Sequence, residues 1–271
     1  MTLVLSQQVK TQIPIEVAGI TPDKVVGMPI AEIEKLPIWL GRQRLVLAEL
    51  FKVSGANSAS NTIVFEGNLD SVHSIGLGMK FGLIRVESDA GRHVGRQMSG
   101  GRIVTKGDVS DYLGVEMTGG VIHVLGNAGD LVGGHLPGSK SGMNRGSILV
   151  AGNVGKGAGQ AMRRGSLAIG GNACELVGWN MLGGTIVVFG ECGEYVGAEM
   201  KRGTIVLAGG YDHHLLPTFT QGGNFHVPIL SILANWLCKN GFELDDQLLN
   251  SRFRMFHGDW LQGGRGELFL R

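Results

Sequence analysis

Apolar positions in the middle of this chain alternate with variable ones, and the alternation restarts at a fixed interval. Gly82-Leu-Ile-Arg-Val-Glu-Ser-Asp sets the pattern, and Gly101-Arg-Ile-Val-Thr-Lys-Gly-Asp repeats it 19 residues later. Further copies open at Gly120, Gly146, Gly165 and Gly184, at intervals of 19, 26, 19 and 19 residues, so one copy carries an insertion. A looser copy starts at Asn61 and a broken one at Gly203. The consensus is Gly, any, Ile/Leu, any, Val/Ile, any, Gly, Asn/Asp, then a Val/Leu-Gly pair and a Met. Alternation with a period of two is the signature of a strand, and no copy has room for ten residues of helical periodicity. A fixed period of this length denotes a repeat architecture.

Glycine at fixed places marks corners, because only Gly takes positive φ without steric cost. Asn or Asp after the middle Gly (Asn68, Asp89, Asp108, Asn127, Asn153, Asn172) suits a turn closed by its own side chain. A short strand, a corner, a Val-Gly segment, another corner and a Met make one coil of about three sides. Stacked coils pair each strand with its equivalents in parallel. The expected fold is therefore mainly β: a right-handed parallel β-helix of about 19-residue coils with non-repeat N- and C-terminal caps. The recurring methionines (Met98, Met117, Met143, Met162, Met181, Met200) predict an internal ladder. Thioether is a ligand for copper(I), but Met more simply fills gaps in a core. At ~4.8 Å per rung, eight coils would make a rod on the order of 40 Å long.

Three regions are expected. Residues 1–60 lack the repeat and read as an N-terminal cap with entry strands; residues 61–210 are the glycine-rich stack; residues 211–271 read as a C-terminal helix and hairpin cap. In the first, Leu3-Val-Leu5 and residues 13–17 read as strands, Thr21-Pro22-Asp23 as a turn or helix start, and residues 29–36 as a short helix with Pro at its first position. Residues 45–53 then feed into the stack. In the third, residues 228–239 carry a broad apolar stripe with Gly241 placed to stop the helix, which reads as a lid over the open end. Residues 252–257 and 267–270 read as a closing hairpin.

Composition removes several function classes. Glycine stands at 46 of 271 residues with no collagen-like period, so it belongs to the corners. Lys+Arg total 24 against Asp+Glu 23, and no basic stripe or aromatic-basic interleaving is visible along the sequence, which leaves no footprint for nucleic acid. The three cysteines, Cys174, Cys192 and Cys238, form no C-x-x-C pair, so zinc ribbons and iron–sulfur clusters have no support. Cys174 and Cys192 fall at adjacent places in consecutive coils. An odd thiol count with no signal-like N-terminus suits a cytoplasmic protein, and no apolar run is long enough to span a membrane.

Candidate chemistry is sparse. Gly155-Lys-Gly-Ala-Gly159 resembles a dinucleotide turn only superficially, because the same interval is a corner in other copies. Gly133-Gly-His-Leu-Pro-Gly-Ser-Lys140 is a near miss for a P-loop, with one Ser too many and no following helix. The inserted loop, residues 136–142, is a candidate partner contact through Leu136, Pro137, Ser139 and Lys140. His213 and His214 could meet a metal with Asp212, but neighbours on an extended segment point oppositely, which favours a subunit contact. No catalytic triad or acid pair can be argued from spacing. No catalytic, cofactor-binding or metal residue is assigned, and the pattern favours a scaffold.

The coils resemble the C-terminal β-helical domain of glutamate synthase large subunits. The entry Leu47-Ala-Glu-Leu-Phe-Lys-Val-Ser-Gly55, the insertion around Leu136-Pro-Gly138, and the exit Phe256-His-Gly-Asp259 with Gly264-Arg-Gly-Glu267 bring the whole chain closer to another family. They resemble the C subunit of formylmethanofuran dehydrogenase and its bacterial counterpart in the formyltransferase/hydrolase complex. That resemblance implies a structural subunit of a cytosolic complex. The complex would move a formyl group from formyl-tetrahydromethanopterin to a methanofuran-type carrier and hydrolyse it to formate. It implies a formyltransferase subunit, an amidohydrolase-like subunit and a further subunit as partners, with zinc and the carrier on those chains. The alternatives are the C subunit of a molybdenum or tungsten formylmethanofuran dehydrogenase, which reduces carbon dioxide, and a spacer in a glutamate synthase-like amidotransferase system. Arg in excess of Lys and the modest charge content lean towards the bacterial form.

Overall fold

The computed structural model describes residues 2–55, 61–239, 248 and 251–271, so Gly241 and the boundary at residue 60 lie outside the described residues. In chain order the elements are β1 (Leu3–Gln7), β2 (Ile15–Glu16), α1 (Pro22–Val25), α2 (Ile30–Ile33), β3 (Pro37–Leu40), β4 (Gln43–Val46), α3 (Leu47–Leu50) and β5 (Phe51–Ser54). The repeats contribute β6 (Thr62–Glu66), β7 (Val72–His73), β8 (Leu83–Val86), β9 (Arg102–Thr105), β10 (Val121–Val124), β11 (Ser147–Val150), β12 (Ser166–Ile169), β13 (Thr185–Val188) and β14 (Gly203–Leu207). The chain ends with β15 (Thr220–Phe225), α4 (Pro228–Lys239), β16 (Phe253–Gly258), a 3-10 turn at Trp260–Gln262 and β17 (Gly266–Leu270).

The molecule is mainly β, built on one 13-stranded sheet of order β15-β16-β17-β14-β13-β12-β11-β10-β9-β8-β6-β1-β5. From β1 to β17 the pairing is parallel and in register; Ile122, for example, stands between Ile103 and Ile148. The inward places, such as Ile84 and Val86 or Ile186 and Val188, are fully buried. The repeats also bond through their other sides. A line of single parallel bridges runs Leu69, Ala90, Val109, Ala128, Val154, Ala173, Cys192. Gly114 N–H donates to Val94 O and Thr118 N–H to Met98 O, both at 2.8 Å, and equivalent bonds recur in later repeats.

The strand-opening glycine shows why the consensus is strict. Gly120, which opens β10, sits at φ +86°, and a Cβ there would lie 2.6 Å from Met98 Cε and 2.8 Å from Gly101 O. All six methionines of the ladder, with Met79, are fully buried, and each Cε lies against a strand-opening glycine further along the stack. The small residue and the long one are thus a matched pair, which is the gap-filling reading of the ladder.

Five of the six Asn/Asp places act differently from expectation. Asn68 does close its own turn, accepting from Asp70 N–H at 3.4 Å, but the others reach along the stack: Asp89 Oδ1 accepts from Asp108 N–H, Asp108 from Asn127, Asn127 from Asn153, Asn153 from Asn172 and Asn172 from Glu191, at 2.7–2.8 Å. Equivalent residues lie one rung apart, and a short acceptor at a corner meets the next backbone donor there.

The ends depart from the sequence reading in three ways. Residues 45–53 do not lead directly into the stack: β5 pairs antiparallel with β1, and β1 is the strand that lies parallel to β6. Leu3 and Leu5 then occupy the inward places, with Leu268 and Leu270 of β17 doing the same beside β14. Second, residues 29–36 give a single turn, α2, with Pro29 at its N-cap position. Third, α4 spans the expected residues but packs sideways. Leu237 is buried with Leu149 and Ala168, and Leu230 with Val187 and Val206, which are the outward places of β11–β14. It therefore covers the second face of the sheet. The terminal strands β16 and β17 pair antiparallel around residues 258–266 as expected, whereas β15 was not foreseen: its Gly-Gly pair and exposed residues hide the alternation.

Candidate functional site

The insertion is fastened to the repeat before it. Glu116 accepts from Leu136 N–H at 3.4 Å and from Gln97 Nε2 at 2.8 Å, with a further bond from the Ser139 side chain. Burial pushes the Glu116 carboxyl up, and these donors outweigh it, leaving it below the usual carboxylate range. Leu136 and Ser139 are therefore half-buried, while Pro137 and Lys140 are exposed. His213 and His214 are both exposed and lie at another corner, beside Glu194 and Tyr195. His213 Nδ1 is 3.8 Å from Glu194 Oε1, and its ring meets Tyr211 edge-on. Among the described interactions none joins the loop to the histidine pair. Among the described residues no three His, Cys, Asp or Glu side chains stand together as a metal site. Cys192 faces the core, where burial and neighbouring Cys174 push its thiol up to about 12; Cys174 is exposed.

A polar cleft of about 780 Å³ opens between the segment after β1 and the first corners, lined by Lys10, Thr11, Asp70, His73, Arg92 and Ser110 among others. His73 Nδ1 accepts from Arg92 N–H at 2.8 Å, so the neutral ring carries its proton on Nε2. Arg92 Nε lies 3.3 Å from Asp111 Oδ2. Burial holds His73 and His93 below their ordinary value, with Glu16 opposing it in both. His93 stacks on Tyr112 with centroids 5.0 Å apart. Sequence reading missed this grouping because Glu16 is brought to His73 by the β2–β7 pairing, which no spacing announces.

Charge is segregated by corner. The corner following each strand carries Asp70, Glu87, Asp89, Asp108, Asp111 and Asp130, and its cations Arg92, Lys106 and Lys156 are each paired with a carboxylate there. The corner preceding the later strands β11, β12, β14 and β17 is basic. Register places Arg145, Arg164, Arg202 and Arg265 in one column, with Gly183 between Arg164 and Arg202. Arg163 and Lys201 flank that column, and all six side chains are exposed. None of these six enters an ion pair or side-chain hydrogen bond among the described residues. This corrects the reading that no basic stripe exists: its members stand 19 or more residues apart and only stacking assembles them.

The basic column ends at the exit loop. Asp259 is buried there; Oδ1 accepts from Leu261 N–H at 2.9 Å and Oδ2 from Glu199 N–H at 3.1 Å. Gly264 N–H donates to Asp259 O, and Trp260 Nε1 donates to Thr220 Oγ1 at 3.0 Å. Glu267 accepts from Thr204 Oγ1 at 2.9 Å. This fastened loop holds Trp260 56% and Leu261 78% exposed.

No family model matches the chain. A solved structure does: the crystal structure of the formyltransferase/hydrolase complex FhcABCD from Methylorubrum extorquens with methylofuran contains a chain that superposes with a TM-score of 0.87. That chain is 33% identical, and the match covers 98% of both chains. The chain belongs to the family of C subunits found in formylmethanofuran dehydrogenases and formyltransferase/hydrolase complexes. The C subunit of the formyltransferase/hydrolase complex of the same bacterium is 34% identical over 80 residues. The C subunit of the molybdenum-containing formylmethanofuran dehydrogenase 1 of Methanosarcina barkeri is 38% identical over 85 residues, which is 30% of this chain and 28% of that protein. The stretches aligned with these two curated relatives span less than a third of their length. As a member of this family, the protein is similar to components of enzyme complexes, and no helix among the described residues is long and apolar enough to cross a membrane.

Proposed function

We propose that this chain is the structural subunit of a formyltransferase/hydrolase complex. The complex takes a formyl group from formyl-tetrahydromethanopterin, passes it to a methanofuran-type carrier and hydrolyses it to formate. The observation that carries this reading is the end-to-end similarity to a chain of the FhcABCD complex, which includes the non-repeat ends. Its partners are a formyltransferase subunit, an amidohydrolase-like subunit and a further subunit, in the cytoplasm, with zinc and the carrier held by those chains. The local similarity to molybdenum- and tungsten-containing dehydrogenase subunits supports the carbon dioxide-reducing complex as second reading, over a shorter span. A glutamate synthase-like spacer has no comparable support.

In this reading the coils wind as a right-handed parallel β-helix, since parallel strands joined by crossovers are overwhelmingly right-handed. Residues 1–60 and 211–271 serve as its caps. Bonds on three sides of every coil give a stiff rod, and that is what a docking frame requires. The loop at Leu136, Pro137, Ser139 and Lys140 and the pair His213–His214 are contact points for partner chains. Co-expression with the other three subunits, followed by native mass spectrometry and a formate-release assay, tests the proposal. A four-subunit assembly active only with its partners is expected. Formate release by the isolated chain, or a wild-type chain that never joins the assembly, would overturn it.

A further inference from the structure

We infer that the basic corner and the exit loop form one docking surface for a partner subunit that offers an acidic, carboxylate-bearing face around an apolar pocket. The inference rests on the scaffold reading and assigns it a face. Stacking sets Arg145 one rung from Arg164, and Arg202 one rung from Arg265. A rung is ~4.8 Å, so the four charges, in two adjacent pairs separated by the Gly183 rung, span roughly 20 Å. Like charges on adjacent strands destabilise a sheet, and no carboxylate among the described residues pairs with them. The nearest acids in sequence are Glu199, and Glu267, which accepts from Thr204. A complementary acidic surface would remove that repulsion. Four of these positions are Arg in a straight column, and guanidinium binds carboxylates in fixed two-point geometry.

At the end of the column Trp260 and Leu261 project from a loop fastened through the Trp260 indole N–H, the Asp259 carboxylate and its own backbone bonds. Little conformational freedom remains to be lost there on binding, and a preorganised Trp is a favoured anchor at the centre of interfaces. Basic column and apolar anchor adjoin where Arg265 leads into β17, so one partner can engage both. Nucleic acid is less well matched, because the aromatic residue stands at the end of the row and does not alternate with the cations.

The test compares wild type, the double variant Arg164→Glu with Arg202→Glu, the single variant Leu261→Asp, and a control matched in charge to the double variant, Lys35→Glu with Lys52→Glu at two exposed sites away from the column, each co-expressed with the other three subunits. Melting temperatures check folding, and the ionic-strength dependence of wild-type assembly supplies a readout that needs no variant. The double variant and Leu261→Asp should each lower recovered complex at least tenfold while the control does not, and raised salt should weaken wild-type assembly. Full assembly of both variants together with salt-insensitive wild type would overturn the docking surface while leaving the scaffold reading intact. Loss only of self-association or of oligonucleotide binding, with the complex unaffected, would also overturn it. A wild-type chain that never assembles would instead remove the scaffold reading itself.

Discussion

Thr105 is an inward-facing residue between Val86 and Val124, fully buried, and its Oγ1 has no hydrogen-bond partner among the described residues. A buried hydroxyl without a partner costs about 1–3 kcal/mol. Thr105→Val should therefore stabilise the protein by about 1 kcal/mol, seen as a melting temperature a few degrees higher. The Asn ladder predicts the opposite sign. Asn153→Ala removes the acceptor for Asn172 N–H on an exposed corner and should cost about 1 kcal/mol, whereas Asn153→Asp, which keeps the acceptor, should cost less. Denaturant titration of the three variants checks both claims. These residues show what the sequence could and could not convey. The consensus fixed their place in the coil, but the direction in which Asn153 reaches depends on the next rung.

At the scale of elements, legibility followed periodicity. Strands from β8 to β13 repeat one phrase and were readable; β15, with two glycines and no alternation, was not. The extent of α4 was plain from its apolar stripe, yet its resting place was not. Leu149, Ala168, Val187 and Val206 looked like variable positions until the helix was seen to cover them. Leu237, fully buried in that contact, should cost about 2–5 kcal/mol when replaced by Ala. Hydrogen exchange should then quicken in α4 first, with β11 and β12 retaining protection from their parallel partners. Equal loss throughout the sheet would show that the helix is integral to the stack.

For the whole molecule, acidity is the revealing variable. His73, His93 and His123 are all held below the ordinary histidine value of 6.5, chiefly by burial, with Arg92, Arg96 and Arg102 respectively adding to it. Each binds a proton more readily in the unfolded chain. Their contribution is therefore present above pH 6.5 and is lost as the pH falls towards the lowered folded values. Glu116, also lowered, adds its own loss only below its ordinary 4.5. Thermal melts should show stability falling between pH 7 and 5, and His123→Asn should flatten part of that slope. The candidate surface was the least legible feature, since a net charge of +1 conceals two opposed corners that only folding separates.

The reversal of strand direction at both ends of the large sheet, where β5 follows β1 and β16 follows β17, has a mechanical consequence. A second copy set end to end would meet an antiparallel edge strand, β5 or β15, where another parallel rung would be needed to continue the series. The parallel run between those ends works as a gauge block, its length counted in whole repeats. Inserting or deleting one repeat would move everything fastened beyond it by a fixed step, together with the small rotation that each twisted rung adds.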